Sequence, residues 1–589
     1  MAIIKDTGYS DISGRILFFR LLKFLKPYKL LVISAIVFNI LLASLSPLRP
    51  YLSQIAVDKY ILKKDFNGLI YIAIIIFATI VINSFLQYLL SIVTQLLGQK
   101  IILNIRKLIF NHLQKIRIPY FDKTPVGRLV TRVTNDVESL NELFSAGIIQ
   151  IFSDIFLLLW ILAFMFYMDI KLTLISISIL PIIIFASFLF KKKARESFSN
   201  VRYHLGRLNS YTQEHFSGIL VIKSFNKYKD AITGFKNINA DHTKANIDSI
   251  FYYAVFYPFV EFLGSLLITI FIWYSFFSLL QSQITLGTLF AFVQFIEMFF
   301  RPIRELSEKY NILQTAIASS ERIFKLLDYN DLENINSLQQ DENIKFRTIE
   351  FKNVWFAYEN DNWILKNVSF KINNGEIVAI VGHTGAGKST IINLLLRYYD
   401  IQKGDILIDG KSIYDINLNF LRSQISLVLQ DVQLFNTTIY DNITLGKNID
   451  KNDILTLSKE IGLTDIIQNF DNRLFEPIEE KGNTLSLGQK QLITFVRALA
   501  NKPKLLILDE ATSNIDTNTE ITIQNALNKL FIKQTSLVIA HRLSTIKNAT
   551  KIIVLHKGEI KETGTHSELL QAKGLYYKLY KLQYENNNI

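Results

Sequence analysis

Six apolar runs, at about residues 30–55, 68–97, 143–167, 171–190, 250–280 and 284–303, decide most of what this chain can become. Each is long enough to cross a hydrocarbon core of roughly 30 Å, tilt included. A spanning segment must satisfy its own backbone groups, so each run is predicted to be helical. The connections at 56–67, 168–170 and 281–283 are short. Those at 98–142 and 191–249 are long and carry Arg106, Lys107, Arg117, Lys123, Arg128, Arg132 and Lys191-Lys192-Lys193. Basic residues gather on the cytoplasmic side, which places the long connections, the N-terminus and everything after the sixth run in the cytoplasm of a cell (inner) membrane protein. The same bias explains the net charge of +13 without a nucleic-acid partner.

Residues 1–29 set Arg15, Arg20, Lys23, Lys26 and Lys29 among apolar residues and lack a small-residue cleavage site. This reads as an interfacial helix with its lysines toward anionic headgroups, not as a signal peptide. Within the runs, acids are costly and tend to face a cavity or a partner, so Asp154, Glu261 and Glu297 are candidate pathway residues beside a packing role. The sequence has no cysteine, which excludes disulfides, thiolate metal sites and cysteine nucleophiles, a leader-cleaving cysteine protease among them.

After a charged, Asn-rich stretch at 306–345, expected as a linker, the pattern changes to that of a soluble α/β domain over 346–589. Its strand-like run Glu376–Val381 leads into Gly382-His383-Thr384-Gly385-Ala386-Gly387-Lys388-Ser389-Thr390, and an apolar helical run follows at Ile391–Leu396. Strand, Gly-rich loop and helix in that order form a phosphate cradle. Backbone N–H groups turn toward one anion, the helix start adds partial positive charge, Lys388 reaches the outer phosphates and Ser389 can ligate Mg²⁺. A nucleoside triphosphate is the implied ligand.

About 120 residues on, the apolar strand Leu505–Leu508 ends in Asp509-Glu510. The first carboxylate can hold the Mg²⁺ shell and the second can polarise an attacking water. Between the two motifs, Leu485-Ser486-Leu487-Gly488-Gln489 opens a helix with a hydroxyl, exposed N–H groups and the helix dipole, a second anion site. A dimer would let that site meet the phosphate loop of another copy.

In this order and spacing the chain resembles an ATP-binding cassette exporter of the type IV fold, a half-transporter, over nearly its whole length. The resemblance implies a multidomain fold, an α-helical six-span transmembrane domain at 30–305 followed by an α/β P-loop NTPase nucleotide-binding domain, with 1–29 as the elbow segment. It also implies roles. Tyr358 would stack the adenine, Gln430 would sense Mg²⁺ and face the membrane domain, and His541 would contact the γ-phosphate. Gln489 would complete the signature, and Ser513–Asp516, including Asp516, would communicate across the dimer. Tyr120–Asp136 and residues near 213–219 would form the coupling regions. Leu487 replaces the usual third-position Gly, and Asn514-Ile515 stand where Ala-Leu is common, as in one subunit of heterodimeric exporters.

The expected activity is ATP-driven export or flipping of an amphiphilic lipid or drug-like molecule by alternating access, with ATP and Mg²⁺ at composite dimer sites. The homodimer is favoured. The alternatives are the catalytic half of a heterodimeric multidrug exporter and an ATP-gated membrane protein that transports nothing. The intact Glu510 argues against the last, and the six spans argue against a soluble nucleic-acid ATPase.

Overall fold

The computed structural model describes residues 14–178, 180–280, 284–333, 344–359, 362–468, 470–479, 485–509, 517–531, 534–539 and 546–582. The chain divides into two units, one of Met1–Gln114 with Val126–Asn330, the other of Lys115–Pro125 with Asp331–Ile589.

The first unit is helical, and its rods overrun the apolar windows that nucleate them. Phe66–Leu113 has 48 residues, Leu180–Ser217 has 38, Tyr228–Leu280 has 53 and Leu286–Leu327 has 42. At about 1.5 Å per residue the first of these is roughly 70 Å long, more than twice a hydrocarbon core. Four helical stretches among the described residues are long and apolar enough to span by length and composition: Gly14–Ile61, Phe66–Leu113, Val126–Met168 and Tyr228–Phe277. The runs expected at 171–190 and 284–303, parts of which lie outside the described residues, fall in the helices Ile170–Ile177, Leu180–Ser217 and Leu286–Leu327. The stretch expected as a linker begins as helix and stays so to Leu327.

Aromatic packing sets the core of this unit. Phe271 stacks on Phe292 at 5.6 Å, and Phe292 meets Phe295 edge-on, beside Ile161, Met165 and Leu267. Large apolar side chains such as Ile70, Phe77, Phe85 and Trp273 remain on the outside, as a lipid-facing surface requires. Ion pairs join the helices. Lys309, which is buried, donates to Asp154, and Arg322 donates from Nε to both carboxylate oxygens of Asp136 at 2.9 and 3.1 Å. The short helix Gly14–Leu22 buries Leu17 and Leu21. Its Lys23, Lys26 and Lys29 neighbours are exposed, whereas Arg20 lies over the Phe324 ring and holds Asp328 bidentately at 2.6 and 2.7 Å.

The second unit holds two sheets. Strands β1 (Thr348–Ala357), β2 (Trp363–Asn373), β4 (Lys403–Ile408) and β5 (Lys411–Ser412) form an antiparallel sheet in the order β2-β1-β4-β5. The six-stranded sheet runs β10-β9-β3-β8-β7-β6, from β3 (Ile377–Val381), β6 (Ile425–Val428), β7 (Leu505–Asp509), β8 (Thr535–Ile539), β9 (Lys551–His556) and β10 (Glu559–Gly564). All its pairings are parallel except β9 with β10. A sheet covered on both faces reads as continuous apolar strands, and β8 is buried at every position. Along β3, Val378 and Ile380 join one core while Ala379 and Val381 join the other, the period of two that a strand imposes.

Candidate nucleotide site

Parallel strands bring their carboxyl ends to one edge, and ligands bind in the crevice there. At that edge β3 runs into the phosphate loop and then the helix Lys388–Leu395. Gly387 adopts φ +102° as the residue before this helix, and a Cβ on it would meet Leu365 Cδ2 at 2.7 Å. Gly382 is excluded from any side chain by the Leu555 carbonyl, 2.2 Å from where a Cβ would stand. Because Gly387 offers no capping side chain, the first-turn N–H groups stay open to an anion. Lys388 is buried, and its Nζ donates to the carbonyls of Gly382 at 2.8 Å and His383 at 3.1 Å. Burial lowers the pKa of this ammonium, and the Asp509 carboxylate acts against that shift. His383, Thr384, Gly385 and Ser389 are exposed, while Ala386 and Thr390 are buried.

Asp509 ends β7, paired in register with Ile539 at the end of β8. Gln430 is exposed two residues past β6, at the same edge. Glu510, Asp516 and His541 lie outside the described residues, immediately or shortly after β7 and β8.

Tyr358, expected under the adenine, is half-exposed directly after β1. Its hydroxyl lies 3.3 Å from Thr390 Oγ1 and accepts from Asn393 Nδ2 at 3.2 Å, which ties the ring to the helix that opens the phosphate site. Gln402 holds the backbone beside it, donating from Nε2 to the Ala357 carbonyl at 2.8 Å and accepting from Ala357 N at 3.1 Å. Neither Asn393 nor Gln402 carries a motif that would have marked it in sequence.

The signature segment behaves differently. Ser486 caps the helix Leu487–Ala500, accepting from Gln489 N at 3.2 Å while the Gln489 side-chain Oε1 accepts from Ser486 N at 2.9 Å. The Ser486 hydroxyl, expected to meet phosphate, is here engaged with its own helix. Gly488 is buried and Leu487 is partly exposed beside it. From the same helix, Arg497 Nε donates to the Asn442 carbonyl at 2.7 Å and Nη1 to the Gln433 carbonyl at 3.1 Å, so the helix fixes the segment that follows Gln430.

Known proteins match this chain along its whole course. The family description "ABC transporter transmembrane region" matches residues 32–303, and "ABC transporter" matches 365–513. An ABC transporter ATP-binding protein of Streptococcus pneumoniae is 35% identical over 96% of this chain and 97% of its own. An ATP-dependent lipid A-core flippase of Syntrophus aciditrophicus is 34% identical over 97% and 95%. Among solved structures, a bacterial Atm1-family ABC exporter with ATP bound superposes with a TM-score of 0.76 at 25% identity, covering 94% of this chain and 98% of that one.

Proposed function

Since the chain belongs to the ATP-binding cassette exporters, membrane proteins that drive transport by alternating access with ATP, we propose that it works as a homodimer exporting or flipping an amphiphilic molecule. The observation that carries the nucleotide half of this reading is the open helix start at Gly387 beside buried Lys388, with Asp509 near enough to act on its charge. Ser389, Gln430 and Asp509 offer the hard oxygen donors that suit Mg²⁺, which when bound would offset charge on the outer phosphates. Glu510 polarises the attacking water and His541 contacts the γ-phosphate. Tyr358 stacks the base. Each composite site is completed by Ser486 and Gly488 of a second copy, with Gln489 and Asp516 at the interface.

The cargo reading rests on chemistry and kinship. The relatives include a lipid flippase and a Bacillus subtilis protein named for multidrug resistance, 36% identical over 88% of this chain and 77% of its own. The spans are rich in aromatic and aliphatic side chains, which suit a membrane-borne amphiphile. Asp154 is engaged with Lys309, which favours an inter-helix role for it, while Glu261 and Glu297 are exposed on their helices and stay candidate pathway groups. A need for a second copy is supported by the tip around Ile219–Ser224, where Phe216, Leu220, Val221 and Phe225 are exposed. The nucleotide-binding domain and the N-terminus lie in the cytoplasm on this reading.

The test is steady-state ATPase activity of the chain purified alone and reconstituted in lipid, beside Glu510→Gln. Turnover that vanishes in the variant supports a self-sufficient homodimer. ATP binding without turnover in both would point to a missing partner subunit.

A further inference from the structure

Tyr358 belongs to a wider cluster in the second unit. It borders a cleft of about 500 Å³ in which Tyr358 and Tyr399 face Arg117, Asp122 and Lys123. The Tyr358 ring is met edge-on by Tyr399, with centroids 4.9 Å apart and planes at 89°, and by Phe356 at 4.8 Å and 86°. The Tyr399 hydroxyl donates to the Asp122 carboxylate on the short helix Ile118–Lys123. The next residue, Asp400, takes Arg117 at 2.7 Å, and Arg117 also reaches Asp331 at 3.6 Å. Two consecutive residues that follow the phosphate-site helix thus hold both ends of Ile118–Lys123. Burial, and then the Asp122 carboxylate, push the Tyr399 phenol above its usual range, so it remains a donor.

We propose that Tyr399 is a positioning residue through which the same chain's helix Ile118–Lys123 responds to the nucleobase, independently of the γ-phosphate. The inference rests on Tyr358 being the base platform. Its exposed face takes the base while its other contacts are already fixed by Thr390, Asn393 and Phe356. Settling of the ring is therefore passed to Tyr399, and the hydroxyl carries it to Asp122 as a charge-assisted bond. Coupling between two sites is reciprocal, so Asp122 must in turn tune affinity for the base.

ADP and pyrophosphate separate the base from the phosphates, since neither carries a γ-phosphate and only ADP carries a base. Hydrogen exchange at the amides of residues 120–123 is followed in the full chain in lipid with each ligand at saturation. ADP is expected to slow exchange about fivefold, the low end of measured couplings, and pyrophosphate to leave it unchanged. Tyr399→Phe, which keeps the ring, and Asp122→Ala, which removes the acceptor, should each abolish the ADP effect, and together do no more than either alone. Equal slowing by pyrophosphate, or slowing that survives in Tyr399→Phe, overturns the proposal. Tyr358→Ala tells the two failures apart. If it binds ADP as tightly as the parent, the platform reading itself is wrong and the proposal falls with it. If it weakens ADP while Tyr399→Phe keeps the slowing, only the link through Tyr399 is lost.

Discussion

The helix Lys388–Leu395 starts at Gly387, which has no side chain to accept its first N–H groups, whereas Leu487–Ala500 starts at Ser486, whose hydroxyl already accepts from Gln489 N. Both are helix starts with the same dipole and the same orphan donors. One is open, and its lysine is buried against carbonyls that a phosphate can replace. The other is closed by a capping box whose removal costs about 1 kcal/mol. The difference teaches an order of events. On the proposed shared site, nucleotide is captured first at the open start, and the capped start joins when a second copy brings a phosphate to which the Ser486 hydroxyl can still donate.

The largest expected effect breaks hydrolysis while leaving capture intact. Glu510→Gln should lower turnover on the order of 10²–10⁴-fold with ATP affinity kept, measured by steady-state hydrolysis beside equilibrium binding. Wild-type turnover in that variant would show that the carboxylate is not the base. Next comes the open start itself. An alanine at 387 would carry about 1–2 kcal/mol of left-handed strain besides its contact with Leu365, so Gly387→Ala should weaken ATP binding on the order of tenfold or more by calorimetry.

Ser486 offers the sharper cut, because its two roles respond to different substitutions. Glycine serves as a cap almost as well as serine, so Ser486→Gly should change stability by only a few tenths of a kcal/mol. If the hydroxyl also meets the second copy's phosphate, that variant should lose turnover about tenfold, the scale of a hydrogen bond to a charged group. A Ser486→Gly chain with full activity would leave Ser486 as a cap and nothing more.

The smallest effect belongs to neither helix start and gives the baseline for reading pH dependence at both. His566 sits 2.6 Å from the Tyr576 hydroxyl, and burial, with Lys547 second, lowers its pKa. The folded state then favours the neutral ring. Its contribution is present above the unfolded value of about 6.5 and declines as pH falls through it. Thermal stability should therefore drop slightly between pH 7.5 and 5.5, and His566→Gln should flatten that slope.

The open start could be read in the sequence because its chemistry is local: strand, glycines, lysine and helix are contiguous. Tyr358, Gln430 and His541 are bland alone and came only with the resemblance. What the sequence hid are pairs joined by the fold. Asp122 and Tyr399 are 277 residues apart, Asp154 and Lys309 are 155 apart, and Arg20 and Asp328 are 308 apart, separations that no periodicity spans. Hydropathy alone does not mark where a helix ends. Hydropathy falls off near residue 97, but the helix continues to Leu113 by burying one stripe, Ile101, Ile105 and Ile109, so apolar content marked the membrane and not the rod.

The claim that each site is shared between two copies is tested most directly by mixing two chains, each impaired on one side of the site. Lys388→Ala disables the phosphate side and Ser486→Gly the signature side. A mixed dimer places both defects at one site and leaves the other whole. Co-reconstituted chains, cross-linked to verify mixed dimers, should show ATPase activity several-fold above that of either variant alone. Mixed dimers no more active than the Ser486→Gly parent would contradict a shared site and return hydrolysis to a single chain.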